Sequence, residues 1–171
     1  FPEFSVNANG LLPNHRTHKV KAFVYYQATP EFGMGANALW SSGRPKNCIG
    51  IAPSTPAYSD PFVQGSSPVT NYSGYGSAYF YCNGQASPRG SRGFLPNEVN
   101  VDVSAQYTPS WMKGLKMKVD LFNLFNRQVA ETIEERYNNG SSTAIRTTYN
   151  TVLGYGAPRS AKFTVSYDHK F

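Results

Sequence analysis

Three glutamates, Glu131, Glu134 and Glu135, lie together in the stretch ETIEERYNNG. Neighbouring carboxylates can bind a hard cation such as Ca²⁺ through their oxygens. A short, strongly charged stretch that ends in Asn-Asn-Gly is also typical of the solvated edge of a loop. Of these two interpretations, the sequence favours the loop edge over the cation site.

His15, Arg16 and His18 form another close group of side chains that could do chemistry. On a strand, Arg16 and His18 would share a face and His15 would lie on the other, so a metal site would need a further ligand that the sequence does not suggest. The serines include no G-x-S-x-G nucleophile elbow, and no helix follows GQASPRGSRG to hold a phosphate. We therefore predict no enzymatic activity, no catalytic residue, no metal site and no cofactor.

The two cysteines, Cys48 and Cys82, lie in a polar stretch rich in Gly, Ser and Tyr. Such a pair in a loop indicates a disulfide formed in an oxidising compartment, with two unrelated thiols as the alternative. In the chain-entropy model, a bridge that closes a loop of this size stabilises the fold by roughly 3–4 kcal/mol.

The segment between the cysteines has the composition of an adaptable binding surface, with tyrosines set among Ser, Gly and Asn. Tyr offers a large contact area at a low entropic cost, and the small polar residues offer adaptable hydrogen bonds. The candidate binding residues of this loop are Tyr58, Tyr72, Tyr75, Tyr79 and Tyr81.

Strands must position these residues, because the chain of 171 residues has twelve Tyr, eleven Phe, 15 Gly and 12 Pro, a profile that favours strands and long turns. The net charge of +6 raises the question of nucleic-acid binding, but Lys and Arg are scattered without a binding motif, so we predict no nucleic-acid partner. No run of about 18 apolar residues encodes a transmembrane helix. The chain opens on FPEFSVNANGLLPN, without a Met or a signal peptide, and we expect a fragment.

Five segments alternate between apolar and polar residues with a period of two, which predicts strands that have one apolar and one polar face. The clearest is NEVNVDVSAQYT, where Val99, Val101 and Val103 oppose Asn100 and Asp102. The strands of a β-barrel span a membrane with about 10 alternating residues each. The predicted strands cover residues 17–27, 34–44, 97–108, 115–126 and 160–171.

Short connections alternate with long ones: ATPEFG and PSWMKG are tight, whereas the predicted loops 45–96 and 127–157 are long. Outer-membrane barrels have this asymmetry, with short periplasmic turns and long extracellular loops. We therefore predict an all-β fold, an antiparallel transmembrane β-barrel portion of about five long strands. It would be integral to a Gram-negative outer membrane, with its C-terminus in the periplasm. Aromatic residues near the strand ends fit interfacial girdles; they are Tyr26, Phe32, Trp40, Tyr107, Trp111 and Phe171.

The stretch VDLFNLFNRQ resembles the last-but-one strand of TonB-dependent outer-membrane transporters, which carry a motif of the type V-x-N-L-F-N there and end in Phe or Trp. The ending APRSAKFTVSYDHKF fits the same pattern. The stretches NGLLPNHRTHKVKAF, SGRPKNC, YFYCNG and SPRGSRG are similar to the C-terminal part of Oar-like receptors, which carry a carboxypeptidase-regulatory-like domain before the plug. The motif residues here are Val119, Leu121, Phe122, Asn123, Leu124, Phe125 and Asn126.

The resemblance implies a barrel of about 22 strands, filled by an N-terminal plug and energised through the TonB complex. This chain would hold its last five strands, and the plug and the remaining strands would lie outside it. The outer-membrane assembly machinery would read the apolar face and final aromatic of the terminal strand. His169 departs from the family pattern, which prefers an apolar residue there. The positions that would be read are Phe163, Val165, Tyr167 and Phe171.

The implied function is energy-coupled uptake of a scarce solute, such as a siderophore, a peptide or a carbohydrate. The implied partners are outer-membrane lipid, the plug, the remaining strands, the TonB complex and the assembly machinery. The disulfide would hold its loop over the barrel mouth. The alternative is a soluble or surface-attached β-sandwich that binds carbohydrate or mediates adhesion. Lysines on the polar faces would meet acidic plug residues in preference to an anionic solute; they are Lys19, Lys21, Lys116, Lys118 and Lys162.

Overall fold

Every regular element in the described part of the chain is a β-strand; the computed structural model describes residues 5–52, 77–140 and 142–169. This confirms the predicted all-β class. Within those ranges, no helix is long and apolar enough to cross a membrane. In chain order the strands are β1 (Lys19–Gln27), β2 (Phe32–Ser41), β3 (Tyr81–Cys82), β4 (Gln85–Ala86), β5 (Glu98–Tyr107), β6 (Leu115–Phe122), β7 (Ala130–Ile133), β8 (Val152–Tyr155) and β9 (Ser160–Tyr167).

The chain divides into two compact units. The sheet unit consists of Thr17–Ser42, Asn97–Val129 and Tyr155–Phe171. The loop unit consists of Phe1–Arg16, Gly43–Pro96 and Ala130–Gly154. The long connections predicted between strands therefore make up most of a unit of their own.

The sheet unit contains one five-stranded antiparallel sheet in the order β1-β2-β5-β6-β9. Each of these strands pairs with the next one along the chain that belongs to the sheet. Among the described residues, β1 and β9 do not pair with each other, so the sheet is open and has two edges. This agrees with the open sheet expected of a few strands taken from a larger barrel.

The register places all the alternating patterns on two common faces. Val24, Ala36, Val103, Leu121 and Ala161 are successive cross-strand partners from β1 to β9. Directly opposed residues of an antiparallel sheet lie on the same face, so this row runs across one apolar face. The next row lies on the opposite, polar face and consists of Tyr25, Gly35, Ser104, Asp120 and Lys162.

The apolar face is exposed across the sheet. Val24 is 61% exposed, Val165 is 55% exposed and Phe163 is 64% exposed. An apolar face of this extent is unusual on the water-exposed surface of a soluble protein. The side chains of this face therefore require an apolar environment from outside the sheet.

Two short turns at one end of the sheet are connected through Glu31. Its carboxylate accepts hydrogen bonds from the Ser110 amide at 2.9 Å and from the Tyr107 hydroxyl at 3.2 Å. Its backbone carbonyl accepts a further bond from the amide of Thr108 at 2.8 Å. The hydrogen bonds from Ser110 hold the pKa of the Glu31 carboxyl below its usual value.

Several strand ends differ from the prediction. The predicted strand 115–126 is too long, because Asn123 and Asn126 have φ values of +49° and +50° and so leave the extended conformation. The second strand runs from Phe32 to Ser41, and the terminal strand ends at Tyr167. The predicted loops also contain β3, β4, β7 and β8, whose two or four residues are too short to show a periodic pattern.

Candidate functional site

A disulfide joins Cys48 and Cys82, whose Cα atoms are 5.4 Å apart. Both cysteines are buried in the loop unit, and the Sγ atom of Cys82 lies 4.0 Å from the hydroxyl of Tyr149. The pairing predicted from the sequence is present. It connects the start of the first long loop to β3, so it restrains the loop unit internally.

Glu134 is the centre of an ion-pair network in the loop unit. Its carboxylate accepts two bonds from the Arg136 side chain, at 2.9 Å and 2.8 Å, and lies 3.7 Å from Nη1 of Arg146. The hydrogen bond from Arg136 lowers the pKa of Glu134 from 4.5 to about 2. Because Glu134 is only 6% exposed, the interpretation of this glutamate as part of a solvated loop edge is wrong.

Glu135, the next residue, is also hydrogen-bonded within the loop unit. Its carboxylate accepts bonds from Arg44 at 3.0 Å and from the backbone and side chain of Asn47, each at 3.1 Å. Arg44 also donates to the backbone carbonyl of Glu131 at 2.7 Å. Arginine and amide donors thus use the oxygens that a cation would need. No group of three or more His, Cys, Asp or Glu in the described ranges could hold a metal ion, the His15–His18 stretch included.

The loop tyrosines do not form one exposed surface. Tyr79 is 2% exposed and Tyr81 is 6% exposed, and both pack with Ala52 in the core of the loop unit. Buried rings cannot contact a ligand, so the assignment of these two tyrosines to a binding surface is corrected. Tyr58, Tyr72 and Tyr75 lie outside the described residues.

The motif stretch around Asn123 forms a hydrogen-bonded turn between β6 and the segment that leads into β9. The Nδ2 atom of Asn123 donates to the carbonyl of Ala157 at 2.7 Å, and its Oδ1 accepts from the amide of Arg127 at 3.0 Å. The Oδ1 atom of Asn126 accepts from the amide of Arg159 at 3.0 Å. The two asparagines therefore hold the start of β9 beside the end of β6.

The other motif residues lie on β6 or just beyond its end. Val119 and Leu121 are on the apolar face of β6, opposite Phe163 and Ala161 of β9. The amide of Leu124 donates to the carbonyl of Val101 at 2.7 Å, beyond the end of β6. The remaining two motif residues have large exposed rings; Phe122 is 40% and Phe125 is 69% exposed.

The terminal strand has its apolar positions on the apolar face. Phe163, Val165 and Tyr167 pair with Val119, Met117 and Leu115 of β6. The ring of Tyr167 stacks on that of His169 at a centroid distance of 6.2 Å. Phe171 lies outside the described residues, and the reading of this strand by an assembly machinery stays a prediction.

The lysines of the predicted polar face lie on one side of the sheet, but acidic residues accompany them. The Nζ atom of Lys118 is 2.6 Å from Oδ1 of Asp120. Lys162 is the cross-strand partner of Asp120, and Lys19 shares a row with Ser41 and Glu98. The positive charge of this face is thus partly balanced within the sheet itself.

Comparison with known proteins finds a distant similarity to one transporter. The chain is 32% identical over 139 residues to the TonB-dependent transporter Oar of Myxococcus xanthus. The aligned region covers 79% of this chain and 11% of the length of Oar. No family model matches the sequence, and no solved structure matches it. The alignment supports a distant, Oar-like relationship.

Proposed function

We propose that this chain forms part of the barrel wall and outer loops of a TonB-dependent transporter in a Gram-negative outer membrane. The observation that carries the proposal is the register of the five-stranded sheet, which gathers the apolar positions of every strand on one exposed face. In hydrocarbon, the unpaired groups of an open sheet edge would cost several kcal/mol each. We infer that further strands pair with β1 and β9 and close a barrel of about 22 strands.

The proposed orientation follows from the lengths of the connections. The turns that Glu31 ties together are short, and short turns are periplasmic in outer-membrane barrels. The loop unit would then be extracellular, its disulfide would hold the first long loop over the barrel mouth, and the C-terminus would be periplasmic. The aromatic residues near the strand ends would lie at the two membrane interfaces.

The proposed partners are those that such a barrel needs. Lipid would cover the apolar face, and an N-terminal plug would pack inside the wall. The TonB complex would supply energy through the N-terminal part of the protein. The assembly machinery would read the terminal strand through Phe163, Val165, Tyr167 and Phe171, with His169 at the periplasmic interface.

The proposed activity is energy-coupled uptake of a scarce solute, and it involves no catalysis by this chain. The similarity to the transporter Oar supports a transport role. A β-sandwich would instead cover one face of the sheet with a second sheet. The exposed valines of the apolar face, together with Phe163, speak against that alternative.

The experiment uses the full-length protein, expressed in a Gram-negative host. We expect it in the outer-membrane fraction, with a slower migration on gels after boiling, as folded barrels show. A cysteine placed at Asn139, which is exposed in the loop unit, should react with an impermeant maleimide on intact cells. A cysteine at Lys113, in the short turn after β5, should not. Recovery of the protein in the soluble fraction, or the reverse labelling, contradicts the proposal.

A further inference from the structure

The loop unit is built from three segments that are far apart along the chain. In the described residues, the first segment is 5–16, the middle segment is 43–52 with 77–96, and the third segment is 130–140 with 142–154. β1 and β2 separate the first segment from the middle one, and β5 and β6 separate the middle segment from the third. Contacts between segments therefore hold this unit together.

The middle segment holds the first segment in place. The amide of Arg89 donates to the carbonyl of Asn9 at 3.1 Å, and the contact is so close that a Cβ atom on Gly10 would collide with the carbonyl oxygen of Arg89. Val6 packs against the buried core of the middle segment. Residues 5–16 contain no strand of their own, so the position of the first segment depends on these contacts.

The middle segment also holds the third segment, through Glu135, whose side chain is 16% exposed. The Glu135 carboxylate accepts bonds from Arg44 and from the backbone and side chain of Asn47, all of which belong to the middle segment. The amide of Ile49 donates to the carbonyl of Glu135 at 2.8 Å, and the amide of Tyr137 donates to the carbonyl of Ile49 at 2.6 Å. If the third segment opened alone, Arg44 and Asn47 would lose a charged acceptor.

We propose that the three segments open and close together as one cooperative body, and that Glu135 couples the third segment to the middle one. Proteins open locally in cooperative units, at free energies below that of global unfolding. Because the first and third segments are both bonded to the middle segment, loosening either end weakens the support of the other. In the proposed transporter, a solute would meet one body instead of three independent loops. The inference itself does not require the transporter, since all of these contacts lie within the loop unit.

The test is hydrogen exchange of the full-length protein in detergent, measured by mass spectrometry on peptides from all three segments. Glu135→Gln keeps the shape of the side chain but removes its charge and one of its two acceptor oxygens. The slowest amides of residues 5–16, 43–52 and 130–140 should then exchange faster by the same factor. We expect this factor to be roughly tenfold, as for the loss of a hydrogen bond to a charged group. Residues 98–107 of the sheet unit should keep the parental rate.

Gly10→Ala perturbs the unit from its other end, because the added Cβ collides with Arg89. It should speed exchange in residues 130–140, although Gly10 belongs to the first segment. The matched control is Gly84→Ala, the same change at another glycine of positive φ, in the turn between β3 and β4. A Cβ atom on Gly84 meets no atom of the described residues within 4 Å, so its effect should stay within residues 81–86.

The proposal is overturned if Glu135→Gln leaves the exchange of residues 5–16 unchanged, or if Gly10→Ala leaves that of residues 130–140 unchanged, because the two ends would then open separately. It is also overturned if β5 exchanges faster by the same factor as the loop unit, since the opening would then involve the sheet unit. Circular dichroism identifies folded protein, and where one variant does not fold, the other decides alone.

Discussion

The phenol of Tyr25 lies over Gly33, in the space that the Cβ atom of any other residue at that position would occupy. Gln106 holds the phenol there with a bond of 2.7 Å, together with Gln27. An aromatic ring from a neighbouring strand covers the backbone that a strand glycine leaves bare. This arrangement explains how β2 tolerates Gly33 and Gly35, residues that ordinarily weaken a strand.

Gly33→Ala should destabilise the sheet unit by about 1 kcal/mol, because the displaced phenol loses its hydrogen bonds to two glutamines. The measurement is the midpoint of urea unfolding of the full-length protein. In a Tyr25→Leu background the same change should be neutral or stabilising, since Ala suits a strand better than Gly by roughly 0.5–1 kcal/mol. If Gly33→Ala stabilised the protein that retains Tyr25, the alanine methyl group would not be displacing the Tyr25 phenol, and the prediction would be wrong.

Replacing both Cys48 and Cys82 by Ser should destabilise the loop unit by roughly 3–4 kcal/mol in the chain-entropy model. The expected observation is faster trypsin cleavage in the loop unit, with no change in the cleavage rate at Lys116 or Lys118 of β6. The double variant is used so that no unpaired thiol remains. Mass spectrometry of the outer-membrane form under non-reducing conditions should show no free thiol, and two free thiols would contradict the bridge.

Acid should weaken the loop unit through Glu134. The pKa of its carboxyl is about 2 in the folded protein against an ordinary value of 4.5, so the stabilisation is fully present above the unfolded pKa. It is lost as the pH falls from 4.5 towards 2, because protonation removes the charge that Arg136 and Arg146 contact. Proteolysis by pepsin across this range measures the loss.

Glu134→Gln should remove most of that pH dependence and should make the loop unit less stable at neutral pH, because Arg136 and Arg146 lose their charged partner. Glu131→Gln is the matched control, since Glu131 is exposed and its carbonyl, not its carboxylate, accepts the bond from Arg44. An unchanged acid sensitivity in Glu134→Gln would mean that another group controls this transition.

Asn123→Ala should loosen the start of β9, because it removes the bonds to Ala157 and Arg127 and places at a φ of +49° a residue that tolerates the left-handed conformation less well than Asn. We expect a cost of about 2 kcal/mol and a smaller amount of folded protein in the outer membrane. Asn123→Gly keeps the backbone conformation and loses only the side-chain bonds, so its defect should be smaller. Equal defects in the two variants would show that the positive φ contributes nothing.

Patterns within single segments predicted the positions of the long strands and the two faces of each strand. The alternation in KVKAFVYYQ or EVNVDVSAQY depends on a period of two along a single segment, and the structure places those faces as expected. The disulfide was also predictable, since two cysteines in one polar stretch allow one pairing. The burial of Glu134, Tyr79 and Tyr81 was not predictable, because it depends on packing against residues from other segments.

The sequence by itself determined the all-β class and the two-faced strands, because these follow from the order of residues along short segments, and its two cysteines allowed only one pairing. The tertiary structure alone decided which residues meet across the sheet. Phe23, Asp102 and Phe122 come from three strands and line one cavity on the polar face because of the register. Asn123 donates a hydrogen bond to Ala157 from a turn, although the sequence pattern predicted a strand at this position. Such contacts depend on distances between segments, and spacing along one segment carries no information about them.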